Sequence, residues 1–262
     1  MKKILFIVLT SLCLNIGLSI RLVAQNWPQV IAHRGYWQTG GSAQNTIASL
    51  ENAERIKVYG SEFDVRMTKD SVLVIIHDAE IDSIKVEESP YAAIQDIILS
   101  NGERIPTLRE YLEAGKNLVH AKLILELKIA KKNDPAWSRE AARRTVNIVR
   151  EKRVQMGTEY ITFDLEAGKE LIRLAPESPV YYLNGELAPK ELKALGFAGL
   201  DYHIDVMMAN KQWFKEAKAL GLGVNVWTVN DLEQLRELME LGADYITTDI
   251  PSEAIRFIMR NF

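Results

Sequence analysis

Gly60-Ser61-Glu62-Phe63-Asp64-Val65-Arg66-Met67-Thr68 alternates along its length, with Glu62, Asp64, Arg66 and Thr68 separated by Phe63, Val65 and Met67. A period of two is that of a β-strand, so both carboxylates are expected on one face. Two like charges there need a partner, and a divalent cation with oxygen ligands turns their repulsion into coordination. Two neighbouring runs behave alike. Ile31-Ala32-His33-Arg34-Gly35 upstream and Val74-Ile75-Ile76-His77-Asp78 downstream each end an apolar stretch in groups that hydrophobic burial does not explain.

Outward from this strand the chain alternates. Strands are predicted over Val30 to His33, Ser61 to Thr68, Leu123 to Lys128, Tyr160 to Phe163, Val180 to Leu183, Gly199 to His203, Gly223 to Val229 and Asp244 to Thr248. Helical patterns fill Thr46 to Lys57, Thr107 to Asn117, Pro135 to Lys152, Glu166 to Ala175, Pro189 to Leu195, Lys211 to Leu220, Asp231 to Leu241 and Ser252 to Met259. Such an alternation predicts an α/β fold, a parallel (β/α)8 TIM barrel. A doubly wound open sheet fits the alternation too, but no G-x-G-x-x-G follows the first strand. The connection over about 78–106, with Glu87-Glu88, Ser89-Pro90 and Asn101-Gly102, is long for a compact barrel and reads as an insertion after the second strand. No linker, repeat or low-complexity tract announces a second domain.

Residues 1–24 read as a signal peptide: Lys2 and Lys3, an apolar run from Ile4 to Leu14, then Leu22-Val23-Ala24. The expectation is a secreted or periplasmic protein of one barrel domain, 25–262, with no stable membrane span after cleavage. The only cysteine, Cys13, lies in that signal, so disulfides, a cysteine nucleophile and zinc-thiolate sites are not expected in the mature chain. Cleavage leaves 29 basic against 35 acidic residues, a formal charge of −6. With no basic block, nucleic acid is not an expected partner. Lys131 and Lys132 read as a solvated helix start.

The order His33-Arg34-Gly35, Asn45-Thr46, Glu62-x-Asp64-Val65-x-x-Thr68-x-Asp70 and His77-Asp78 resembles the glycerophosphodiester phosphodiesterases. So do Glu126-Leu127-Lys128, Val226-Trp227-Thr228-Val229-Asn230 and Thr247-Thr248-Asp249-x-Pro251. The resemblance spans the mature chain and implies a barrel with an insertion after the second strand. It implies hydrolysis of a small glycerophosphodiester to glycerol 3-phosphate and an alcohol. His33 and His77 would be the catalytic pair, and Glu62, Asp64 and Glu126 the ligands of one divalent metal ion, calcium or magnesium. Arg34 and Lys128 would hold phosphate, and Trp227 would line the substrate pocket. These residue types suit the chemistry: attack on an anionic phosphodiester builds negative charge, and two imidazoles move the protons. Attack by water, or by a glycerol hydroxyl through a cyclic phosphate, are both consistent with the sequence.

Phe163 and Tyr182, near strand ends, are further lining candidates, while His120 reads as exposed and His203, at a strand end that could face the mouth, as structural. One departure stands out. Ala43-Gln44-Asn45-Thr46 replaces the family's usual Pro-Glu-Asn-Thr, so an amide stands where a carboxylate is usual. The alternatives are a phospholipase acting on intact or lyso lipids, which an apolar surface on the insertion would favour, and a non-catalytic phosphoglycerol-binding protein.

Overall fold

A computed structural model describes residues 27–130 and 134–261. The signal peptide expected over residues 1–24, and Lys131 and Lys132, lie outside those residues. The first half of the chain runs β1 (Gln29–Ala32), α1 (Ile47–Arg55), β2 (Gly60–Met67), β3 (Leu73–Ile75), β4 (Glu80–Ile81), β5 (Ile84–Lys85), α2 (Leu108–Gly115), β6 (Lys122–Leu127) and α3 (Pro135–Lys152). The second half runs β7 (Thr158–Thr162), α4 (Leu165–Leu174), β8 (Val180–Tyr182), α5 (Pro189–Leu195), β9 (Gly199–His203), α6 (Ile204–Ala209), α7 (Gln212–Ala219), β10 (Gly223–Trp227), α8 (Leu232–Leu241), β11 (Tyr245–Thr248) and α9 (Pro251–Arg260). β1, β2 and β6 to β11 pair in parallel, and β1 meets both β2 and β11, which closes an eight-stranded TIM barrel.

Helix starts follow local chemistry. Thr46 accepts from the Ser49 backbone N–H while Ser49 Oγ accepts from that of Thr46, which satisfies two orphan donors at the start of α1. Asp164 and Asp231 accept backbone N–H groups at the starts of α4 and α8. The helices lay apolar stripes on the outer face of the barrel, so β2 is buried on both faces.

Inside the barrel the side chains form layers. Odd positions on β1 and β7 to β11, and even positions on β2 and β6, point inward. At the N-terminal end Tyr59, Tyr181 and Tyr245 close the floor, with the Tyr59 hydroxyl donating to Glu159 at 2.6 Å. Gly199 is needed there, because a Cβ would come 2.6 Å from the Tyr181 ring. The C-terminal end is left open for chemistry.

Residues 73–106 fold against this open end. β3 pairs antiparallel with the end of β2, and β4 and β5 form a hairpin. Val74, Ile76, Val86, Ile94 and Ile105 make a small core of their own. Of the apolar side chains at 94–99, Ile94 is buried, Ile97 and Leu99 are partly covered, and Ile98 stands exposed. α6, of six residues, has no counterpart in the sequence expectations.

Candidate active site

The alternation of β2 places Glu62 and Asp64 together inside the barrel mouth, and register pairs Asp64 with Glu126 on β6. All three are buried, and each offers an oxygen within 4.8 Å of the others. Glu62 accepts the Arg34 backbone N–H at 2.8 Å through Oε2, while its buried Oε1 has no hydrogen-bond partner. Three hard oxygen donors with one left unsatisfied fit a divalent cation.

Position and charge are set by neighbours. Asn45, in the left-handed region at φ 60°, clamps Asp64 twice: its Nδ2 donates to Oδ2 at 2.8 Å, and its Oδ1 accepts the Asp64 backbone N–H at 3.0 Å. Lys128 Nζ lies 2.7 Å from Glu126 and 3.2 Å from Asp64, and Arg34 Nε lies 3.6 Å from Asp64. Burial drives the Glu62 carboxyl well above the ordinary range, reinforced by Asp64 and Glu126. Burial, with Asp64 beside it, also pushes Glu126 up to about 7. Burial acts to raise Asp64 as well, but Lys128, His77, Asn45 and Arg34 together hold it below its usual value. The pocket thus has one firm carboxylate and two reluctant ones.

His33 and His77 flank this group in one cavity of about 180 Å³, whose wall also includes Arg34, Lys128, Phe163, Asp201, Trp227 and Thr247. His33 Nδ1 lies 2.8 Å from Asp249, whose other oxygen accepts Asn230 Nδ2 at 2.7 Å. Burial opposes ionisation of Asp249, yet His33 and Asn230 hold it below the ordinary range, so His33 carries its Nδ1 proton toward an anion. His77 Nδ1 lies 2.7 Å from Asp78, and burial lowers the His77 pKa by more than Asp64 raises it. Each ring therefore has its Nε2 free for chemistry.

The turn that carries Arg34 is itself built for closeness. Arg34 takes φ 55° and Gly35 φ 78°, and a Cβ on Gly35 would fall 2.3 Å from Ser49 Oγ. His77 is fixed from behind: Arg66 Nε donates to its carbonyl at 2.9 Å, while Arg66 NH1 pairs with buried Glu87 at 3.4 Å. Glu87 in turn accepts the Ala130 backbone N–H, which ties the insertion to the end of β6. Arg66→Leu is expected to leave Glu87 as an unpaired buried charge, costing about 3–5 kcal/mol of stability. Melting of the variant checks this, and Arg66→Leu/Glu87→Leu should regain most of the loss.

Trp227 lines the cavity, donates from Nε1 to the Asp201 carbonyl at 2.9 Å and meets Phe163 edge-on at 5.7 Å. Tyr182 does not line it. An even position on β8 turns outward, so Tyr182 packs on Phe197 and donates to Glu186, and Leu183 occupies the inward place. His203 stands at the rim 5.0 Å from the Trp227 ring, and His120 is exposed on the opposite end. Thr68 and Asp70 staple the β2 to β3 turn rather than the site. The sequence reading gave no role to Asn45, Asn230, Asp249, Arg66 or Asp201, although the first three stand in motifs it singled out.

Gln44 reaches the triad only through Arg34, whose NH1 donates to its Oε1 at 2.7 Å. Gln44→Glu is therefore expected to bind Arg34 as an ion pair and hold it away from any anionic ligand of the cavity. The Michaelis constant should rise about three- to tenfold with kcat changed less than twofold, a split that steady-state kinetics reads directly.

A sequence model of the Glycerophosphoryl diester phosphodiesterase family matches residues 33–253. A glycerophosphodiester phosphodiesterase of Caldanaerobacter subterraneus is 26% identical over 88% of this chain and 98% of its own length. The crystal structure of a glycerophosphodiester phosphodiesterase from Parabacteroides distasonis superposes with a TM-score of 0.88 at 48% identity, covering 90% of this chain and 98% of that one. An Oleispira antarctica phosphodiesterase solved in complex with the product sn-glycerol-3-phosphate superposes at 0.79 with 26% identity, over 89% of this chain and 97% of that one.

Proposed function

The chain belongs to the glycerophosphoryl diester phosphodiesterase family and is a hydrolase of that class, and from this premise we propose how it works and on what. It hydrolyses glycerophosphodiesters to glycerol 3-phosphate and an alcohol, with His33 and His77 exchanging the protons. The observation that carries this reading is the meeting, at one cavity, of two carboxylate-backed histidines, two cations, and Glu62 and Glu126, with Asp64 grouped behind them. Glu62, Asp64 and Glu126 would hold one calcium or magnesium ion, which would supply positive charge where negative charge develops on the phosphoryl group.

His77, kept neutral by burial, takes the proton of the nucleophile at Nε2. His33, held by anionic Asp249, gives a proton from Nε2 to the leaving alkoxide. Arg34 and Lys128, which pair with the carboxylates in the resting site, turn to the phosphoryl oxygens. Both are largely enclosed, which strengthens their pull. The insertion offers Ile98 as its only large exposed apolar side chain among the described residues, which favours a water-soluble diester over a lipid.

Release of glycerol 3-phosphate from a panel of glycerophosphodiesters, with and without chelator, tests the reading. Activity on the panel that chelation abolishes is expected. No release from any member, or release indifferent to chelator, would sink it. We further propose that the enzyme acts in the periplasm or outside the cell, on the strength of the charged start and apolar run at residues 2–14. Mass analysis of the exported protein, showing an N-terminus near residue 25, checks that.

A further inference from the structure

We infer that Asp201, Asn225 and Thr247 form a hydroxyl-binding patch that selects the glycerol part of the substrate. These are inward positions on the adjacent strands β9, β10 and β11, below His203 and Trp227 on β9 and β10, and register sets Asp201 beside Asn225. Nearby inside the barrel, Ile31, Ile124, Ile161 and Leu183 belong to one apolar cluster. The three polar residues are 1%, 3% and 4% exposed.

Their hydrogen bonding is incomplete. Asn225 Nδ2 donates to Thr247 Oγ1 at 2.8 Å, but Asn225 Oδ1 and Asp201 Oδ1 have no partner. Leaving a buried acceptor unsatisfied costs about 1–3 kcal/mol, so a barrel centre that keeps two of them is shaped for something that enters. Asp201 and Thr247 line the same cavity as Arg34, Lys128 and the histidines. A ligand whose phosphate sits at those cations projects its organic part toward this patch.

The patch's chemistry specifies that part. Asp201 Oδ1 is an acceptor with no donor facing it. Beside it Asn225 Oδ1 only accepts. Alcohol hydroxyls donate to both, whereas a second anion would meet only acceptors. The volume of about 180 Å³ suits a three-carbon polyol phosphate, with its C–H faces against Ile161 and Leu183.

This rests on the phosphodiesterase reading for the identity of the ligand, but binding tests it separately from turnover. Calorimetric titration of the calcium-loaded enzyme with sn-glycerol 3-phosphate and with propyl phosphate, which lacks both hydroxyls, gives a ratio of dissociation constants. A ratio of at least tenfold in favour of glycerol 3-phosphate is expected. Asp201→Leu should reduce it at least fivefold, and Asp201→Asn, which still accepts, should keep it within about twofold. Thr247→Val, nearly isosteric, should also reduce it, and it carries the test if the leucine variant does not fold. The melting temperature of Asp201→Leu should not fall, since an unpaired buried carboxyl has gone. A wild-type ratio below threefold, or one that both Asp201→Leu and Thr247→Val leave within threefold of its starting value, overturns the inference. Failure to turn over any glycerophosphodiester while the ratio behaves as stated would overturn the functional reading and leave the patch standing.

Discussion

Replacing His33 with alanine is expected to lower kcat by about 10²- to 10⁴-fold, and His77→Ala by a similar factor. Both side chains stand at the open end of the barrel, 20% and 37% exposed, so little packing is lost and melting should move by no more than a few degrees. The pH profile separates their roles. A base must be neutral, and burial lowers the His77 pKa, so activity should be present above that value and lost as pH falls through it, at a pH below the ordinary histidine value of about 6.5. Asp249→Asn, which replaces the anion behind His33 with a neutral amide, should cost at least tenfold in kcat. Turnover near normal in either alanine variant would remove that histidine from proton transfer.

The barrel was legible because its signals are local. Thr46, Thr107, Asp164 and Asp231 announce helix starts within three or four residues, and the alternation in β2 announces its own faces. α6 was not legible, since six residues without a flanking proline or glycine carry too little periodicity. The β3 segment was seen as strand-like, but its antiparallel turn back along β2 depends on the staple of Thr68 to Asp70 and Val72.

Site residues divide along the same line. Glu62 and Asp64 could be read together because they are two apart on one strand. Asp249 could not be paired with His33, from which 216 positions separate it, until the barrel brought β1 and β11 side by side. The Asn45 clamp needed a left-handed backbone that sequence does not declare for asparagine. Tyr182 failed as a lining residue by a single place in register, which on a strand reverses the face. Asp201 was the subtlest case. Gly199-Leu200-Asp201-Tyr202-His203 alternates and so sends Asp201 inward, yet a lone acid in a strand has nothing nearby in sequence to mark it as unpartnered.

The acidic triad should couple cation binding, activity and pH. Without the cation, burial and mutual repulsion hold protons on Glu62 and Glu126, with Glu126 pushed up to about 7. In the unfolded chain both ionise near the ordinary glutamate value of about 4.3, so between that pH and about 7 the folded state binds more protons. Stability contributed by this group is therefore present at low pH and lost as pH rises through the window. For Glu126 alone the difference is about 3 kcal/mol, or roughly 6–12 °C of melting temperature in a domain of this size. The chelated protein should melt that much lower at pH 8 than at pH 5, and calcium or magnesium should restore the loss at pH 8 while changing little at pH 5. A Glu62→Gln/Glu126→Gln variant separates the triad from every other acid: it should keep its melting temperature across this range, ignore the cation and lose at least about a thousandfold in kcat. A variant with the same pH slope as the parent, or a parent fully active after exhaustive chelation, would show that the three carboxylates neither titrate as a unit nor hold the ion.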